Sequence, residues 1–286
     1  MSGQTYLQSR AEALLTLARA FAPPREAGIA EAFATALPDD LEELAGLLAY
    51  PVLSEVAALR AAAGSLDDEG LLRLYAGLFL TPPSPAKLDV AAYLDDGRLG
   101  RSAFEIERWY ERHGVLKQEG FRETADHVTA QLEFAFMLFA KAADAMRDGD
   151  EMDSLAFAAE ARRFLAAFAY RWTGPFTGAI QNAVGERALN PAYLHLARIL
   201  QQVVAEEIAE VAARSPEEAV TSLPAGSARG LGAPTAEDLA HIAVRLEAHG
   251  LSFAHIRERP EWDEAVYLRQ KAAEAAGDRS TAPALG

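Results

Sequence analysis

The sequence predicts an all-α fold, and three observations carry that prediction. Alanine, leucine and glutamate dominate. No run of alternating β-branched residues of strand length stands outside a helical pattern. Apolar residues also recur at steps of three and four, which places them on one face of a helix. The clearest case is Thr124 to Lys141, TADHVTAQLEFAFMLFAK. Val128, Leu132, Ala135, Phe136 and Phe139 form one stripe, while His127 shares another with Gln131, Phe134 and Leu138. Thr124 suits an N-cap, and Asp126 then falls where the helix dipole favours a carboxylate. A helix apolar on so many sides is either central to a bundle or lines a groove that receives another apolar segment.

The other elements follow in order. Leu7, Ala11, Leu14, Leu15, Leu17, Ala18 and Phe21 mark an amphipathic helix over about residues 6–22, stopped by Pro23 and Pro24. A second is expected over 28–37. From 39 to 63 the pattern is helical but Pro51 interrupts it, which leaves two helices or one kinked helix open. Ser65, with Asp68 three residues on, should open the helix over 67–80. Pro82, Pro83 and Pro85 forbid a helix after it and favour an extended segment across the surface. Further helices are expected at 102–113, from Gly149 to about Trp172 with Gly174-Pro175 as its end, and from the Asn190-Pro191 cap to Arg214. Residues 216–234 read as a Gly-, Pro- and Ser-rich linker. A helical extension over 235–276 follows, with helices from Thr235 and Pro260, and residues 277–286 read as a disordered tail.

Composition excludes several kinds of chemistry. The absence of cysteine removes disulfides, thiolate metal sites, iron-sulfur ligation and cysteine nucleophiles. No Gly-Lys dipeptide exists, so there is no P-loop. The six histidines show neither a His-Glu-x-x-His pair nor the Glu-x-x-His spacing of helical dimetal sites, so no metal and no cofactor is expected. With 27 basic and 42 acidic residues the formal charge is -15. Nucleic acid and anionic membranes are therefore poor partners, whereas a basic peptide is steered in; equally, the acid excess suits simple solubility. Without a basic-then-apolar N-terminal pattern or a bilayer-length apolar run, a cytoplasmic protein with no stable membrane insertion is expected. Arg162-Arg163 reads as a solvated pair on a helix. Asp126-His127 reads either as a capped helix start or as part of a site.

Several of these pieces, in order, resemble the TorD/DmsD family of redox-enzyme maturation chaperones, which bind twin-arginine signal peptides. They are Leu78-Phe79-Leu80-Thr81-Pro82, the proline-rich loop ending Tyr93-Leu94-Asp95, Trp109 with Gly114, and Asp126-His127 with the apolar run Leu132 to Phe139. Weaker likeness reaches back to Phe21-Ala22-Pro23 and forward through Asn190-Pro191. The resemblance implies a single TorD-like helical bundle over residues 1–215, and the C-terminal extension after it has no counterpart in the family. It also implies a non-catalytic role: binding the leader and body of a molybdoenzyme catalytic subunit precursor while its cofactor is inserted before export. On the matching positions it implies leader binding by Phe21, Tyr75, Leu78, Phe79, Pro82, Tyr93, Asp126 and His127.

Beside the resemblance stands a physical reading. A leader with a basic head and an apolar stretch needs a greasy groove with acidic groups at one mouth. Phe79, Tyr93, Phe134 and Leu138 are the expected groove, beside the helix that His127 leads, and Asp126, Asp95 and Asp96 the expected mouth. The alternative is an all-α ligand-binding or hydrolytic protein that uses Asp126-His127 as an acid-base pair. A structural adaptor in a respiratory complex is a third reading. Monomer, homodimer and swapped dimer all remain open, since a flexible proline loop between helices permits swapping.

Overall fold

The computed structural model describes residues 3–95, 100–115, 124–212 and 263–278, with single positions at 236, 240 and 257. The fold is all-α, with no strand among the described residues. The chain divides into two compact units, residues 1–215 and 216–286. In the first, α1 is Gly3–Ala20, α2 Ile29–Ala34, α3 Ala36–Leu48, α4 Leu53–Ala63 and α5 Asp68–Tyr75, which runs into a wide π turn, Ala76–Leu80. Then come α6 (Ala91–Leu94), α7 (Arg101–Arg112), α8 (Val128–Arg147), α9 (Glu151–Phe164), a second π turn (Leu165–Ala169), α10 (Tyr170–Arg187) and α11 (Ala192–Ala212). In the second unit α12 is Glu264–Asp278.

The bundle is built around α8, which packs along α1 on one side and α9 on another. Leu132, Ala135, Leu138, Phe139 and Ala142 are fully buried, and only Glu133, Asp144 and Arg147 of this helix are exposed. Each large apolar side chain taken out of water there contributes about 1.5–3 kcal/mol. The helix is therefore central to the bundle, and the expected slot along it is filled by protein. Around this core α10 packs on α11, α11 on α4, and α3 on α1.

Several helix ends differ from the expectation. α8 starts at Val128 rather than near Thr124, because the His127 ring takes the capping role and accepts from the Thr129 amide at 3.3 Å. The Thr124 hydroxyl instead donates to Asp89 at 2.7 Å. Asp67, not Ser65, caps α5, accepting from the Gly70 amide at 2.7 Å. Pro51 lies between two separate helices, α3 and α4. Gly174-Pro175 ends nothing, since α10 runs through it. Pro175 denies the Arg171 carbonyl an amide partner, but both residues are exposed, so the loss falls on the solvent side of the helix, where it costs least. Asn190 caps α11 as expected, accepting from the Ala192 amide at 2.9 Å. Residues 216–234 and 241–256 lie outside the described residues, while α12 includes Gly277 and Asp278 of the expected tail.

One buried ionic cluster ties the first unit together. Glu207 on α11, 1% exposed, accepts from the Arg10 guanidinium of α1 and from the Tyr50 hydroxyl between α3 and α4. Arg10 also donates to the Tyr6 hydroxyl at 3.0 Å, and Arg162 approaches Glu207 at 3.7 Å. A carboxylate this deep is tolerated only when paired and hydrogen-bonded. Arg162 is accordingly not the solvated residue expected, because its partner lies inside the bundle.

Ala49 and Ala188 close α3 and α10 in the left-handed region, at φ 57° and 49°. A Cβ there is strained, which is why glycine usually fills this position. Ala49→Gly and Ala188→Gly should each raise unfolding free energy by about 0.5–1 kcal/mol in a denaturant titration, after the extra unfolded-state entropy of glycine is subtracted.

Candidate functional site

The proline loop is not an extended strip over the surface. It is stapled to the start of α8. The π turn aims the Leu78 carbonyl at Pro82 and Pro83, neither of which has an N–H, and the Ala86 amide fills that vacancy at 3.1 Å. Further on, the Val90 amide donates to the Asp126 carbonyl at 3.0 Å and the Val128 amide to the Leu88 carbonyl at 2.9 Å, a short antiparallel bridge. The Asp126 carboxylate accepts from the Ala91 amide at 3.0 Å, holding the first turn of α6. Ala86, Leu88 and Val90 are consequently buried.

Asp126 and His127 are 3% and 8% exposed. His127 Nδ1 lies 2.7 Å from the Thr129 hydroxyl. The Gln131 amide donates to the Asp126 carbonyl at 3.0 Å and accepts from the Trp172 indole at 3.0 Å. The pair is thus fixed by internal partners, and the acidic mouth expected of Asp126 does not form. Asp95 is also committed, since it caps α7 through the Ser102 amide and hydroxyl. Burial pushes its carboxyl up, and these hydrogen bonds outweigh that and leave it below the ordinary range. Asp96 lies outside the described residues.

The other expected site residues meet in one aromatic cluster. Tyr75, Leu78 and Phe79 share a face of α5 and its π turn, and all three are buried with Phe21. The Tyr75 hydroxyl donates to the Phe21 carbonyl at 3.2 Å, and the Tyr75 and Phe79 rings lie 5.0 Å apart. Phe79 stacks on Phe176 at 6.1 Å and meets Tyr193 edge-on at 5.2 Å. Tyr93, half-buried, covers Phe176 at 6.0 Å, and its hydroxyl accepts from the Lys87 amide at 2.7 Å. Burial pushes the Tyr93 hydroxyl up to about 12. Pro82 is exposed at the head of the loop. The expected groove of Phe79, Tyr93, Phe134 and Leu138 does not exist as an open surface: Phe134 packs on Phe164 at 4.7 Å and Leu138 is fully buried.

An open cleft of about 520 Å³ lies elsewhere, between the end of α1, the Pro23-Pro24 turn, α2 and the start of α3. Ala20, Ile29, Phe33, Leu37 and Tyr193 line it, with Arg19, Arg25, Glu26 and Asp40 at its rim. Its wall is continuous with the aromatic cluster, because the Tyr193 ring lies 5.3 Å from Phe33, 5.8 Å from Tyr75 and 6.3 Å from Phe21. Tyr193 is fully buried, and its hydroxyl has no hydrogen-bond partner among the described residues. Burial pushes that hydroxyl far above the ordinary tyrosine range. Asp68 of α5 fixes the cleft wall by accepting from the Gly28 and Ala30 amides at 2.8 and 2.9 Å. Those two bonds hold the Asp68 carboxyl below the ordinary range.

Phe33, Phe176 and Tyr193 were missing from the sequence-derived site. Tyr193 sits on the same helical stripe as Leu196, Ala197 and Leu200, which marks it as core without revealing what it faces. Phe176 was hidden by the expectation that Gly174-Pro175 ends a helix.

Two measurements check this geometry. Asp126→Ala leaves the Ala91 amide without its acceptor, a cost of about 1–3 kcal/mol, so hydrogen exchange at Val90 and Ala91 and tryptic cleavage after Lys87 should both speed up. Because the Asp68 carboxyl is lowered on folding, its contribution is complete above the unfolded value and fades as pH falls through the folded one. Between about pH 4 and pH 2 the wild type should lose more thermal stability than Asp68→Asn.

Three kinds of part therefore lie together in the first unit: a stapled proline loop, an aromatic cluster beneath it and an open cleft behind. Comparison with curated proteins finds no match. The family model described as nitrate reductase delta subunit matches residues 30–178, just over half the chain. The match spans α2 to the middle of α10 and includes the loop, Asp126-His127 and most of the aromatic cluster. It is a TorD-type family of redox-enzyme maturation chaperones that serves molybdoenzymes and is not catalytic. By this match over bundle, loop and cluster together, the chain belongs to the nitrate reductase delta subunit family.

Proposed function

We propose that this protein is a cytoplasmic chaperone that binds the twin-arginine leader and the body of a molybdenum-cofactor oxidoreductase subunit, holding the precursor until its cofactor is inserted. The observation that carries this reading is the family match over residues 30–178, which takes in the loop and the Asp126-His127 turn. Charge supports it, since a chain of formal charge -15 attracts a basic leader over distance. In this reading Phe21, Tyr75, Leu78 and Phe79 shape the binding region from behind. Pro82 and Tyr93 belong to the loop above it, and Asp126 with His127 keeps that loop seated.

The acid-base alternative finds no support in the geometry. Asp126 and His127 are each bonded to internal partners and nearly closed to solvent. A general acid or base must reach the proton it moves.

The test is a titration of the full chain with a synthetic twin-arginine leader peptide, alongside a pull-down of a molybdoenzyme precursor. The wild type should bind the leader and retain the precursor. Asp126→Ala should weaken leader binding several-fold by loosening the loop. Its salt dependence should match that of the wild type, because a buried carboxylate committed to a backbone amide is not an exposed mouth charge. A wild type that neither binds the peptide nor retains the precursor overturns the proposal.

A further inference from the structure

We infer that His113, at the end of α7, is a proton-operated latch: its uncharged ring seats α7 against α8 and α9, and acidification expels the ring and loosens the proline loop. Such a latch acts on the loop whatever the loop binds. His113 Nε2 faces the Glu160 carboxylate of α9 across 3.9 Å, too far for a hydrogen bond. Both His113 Nε2 and Glu160 Oε2 are closed to solvent, and neither has a hydrogen-bond partner among the described residues. The other Glu160 oxygen is already taken, accepting from Arg163 at 2.8 Å. Two facing polar atoms left unpaired inside a bundle make the site sensitive to a single proton.

The surroundings favour the uncharged ring. Trp109 lies nearly parallel to it, at 17° and 6.4 Å, and Phe134 of α8 meets it edge-on at 5.6 Å. Among the described residues the charged groups that face it are Arg112 of α7, Lys141 of α8, and Glu160 and Arg163 of α9. A proton on the ring would gain Glu160, but it would lose its hydration and stand among three cations. Burial is accordingly the first cause that holds His113 below the ordinary histidine range. Glu160 opposes it, and Lys141, Arg112 and Arg163 reinforce it. Because folding disfavours the proton, the contribution of His113 to stability is complete above the unfolded value, about 6.5, and is lost as pH falls through the folded one.

The end of α7 is joined to the loop by a short set of contacts. The His113 amide donates to the Tyr110 carbonyl at 3.1 Å, and the His113 carbonyl accepts from Lys141 at 3.5 Å. Tyr110, one turn earlier, rests on the same Phe134 ring at 4.6 Å. Its hydroxyl donates to the Ala125 carbonyl at 2.9 Å. Ala125 precedes Asp126, whose carboxylate holds the Ala91 amide of the loop. A ring that leaves Phe134 therefore frees the last turn of α7, and with it the Tyr110 hold on the segment that staples the loop.

The test follows two quantities on the full chain: the titration of the His113 ring protons by NMR, and the hydrogen-exchange protection of the Ala91 amide, corrected for its intrinsic rate. His113 should titrate below the free-histidine value of about 6.5. Glu160→Gln should lower that midpoint further, and Lys141→Gln should raise it. Between about pH 7 and pH 5 the wild type should lose about threefold more Ala91 protection than His113→Gln, which carries no proton to gain. Should His113→Gln fail to fold, Lys141→Gln decides instead, because its loss of protection must move to higher pH together with its midpoint. A midpoint at the free value that neither charge variant moves overturns the inference. So does a lowered midpoint with Ala91 protection falling equally in wild type and His113→Gln, or staying fixed in Lys141→Gln while the midpoint moves.

Discussion

The short pairing of residues 88–91 with residues 126–128 is the constraint on which the rest of the first unit depends. Two backbone bonds and the Asp126 carboxylate hold these segments together, the carboxylate taking the Ala91 amide at 3.0 Å. One side of the pairing fixes a loop that three prolines keep from becoming helix. The other side fixes where α8 begins, with the His127 ring standing in for the missing helical turn. Because α8 packs along both α1 and α9, its starting point sets the register of the bundle.

From that pairing a connected set of contacts runs inward. Gln131 takes the Asp126 carbonyl and the Trp172 indole, Trp172 meets Phe176 at 5.7 Å, and Phe176 lies between Phe79 and Tyr93. Phe79 then touches Tyr193 at the cleft wall. The loop and the cleft are thus opposite ends of one packed assembly. Buried polar groups in it are satisfied one after another, and the Tyr193 hydroxyl is an exception among them. The loop is thereby anchored to a densely packed interior by a few hydrogen bonds.

Much of the fold was legible in the chain. The three- and four-residue steps of α1 and α8, the break at Pro51 and the Asn190 cap all depend on neighbours a turn away, and short-range chemistry writes itself into sequence. Gly174-Pro175 misled because its effect depends on which way Pro175 faces, and only packing assigns that. Asp126-His127 stands out in the sequence as a polar pair before an apolar helix, but the Asp126 partner Ala91 lies 35 residues earlier. No local pattern announces such a pairing.

Chemistry local to the chain suffices for an all-α protein of acidic charge and no cysteine, and for the ends of α1 and α11 to within a few residues. Those properties are set by composition and by contacts along the chain. Tertiary structure alone decided that α8 is enclosed, that Asp126 serves a backbone amide, and that the open cleft lies behind Tyr193. Each of these depends on which residues distant in sequence compete for the same buried volume and the same hydrogen-bond donors.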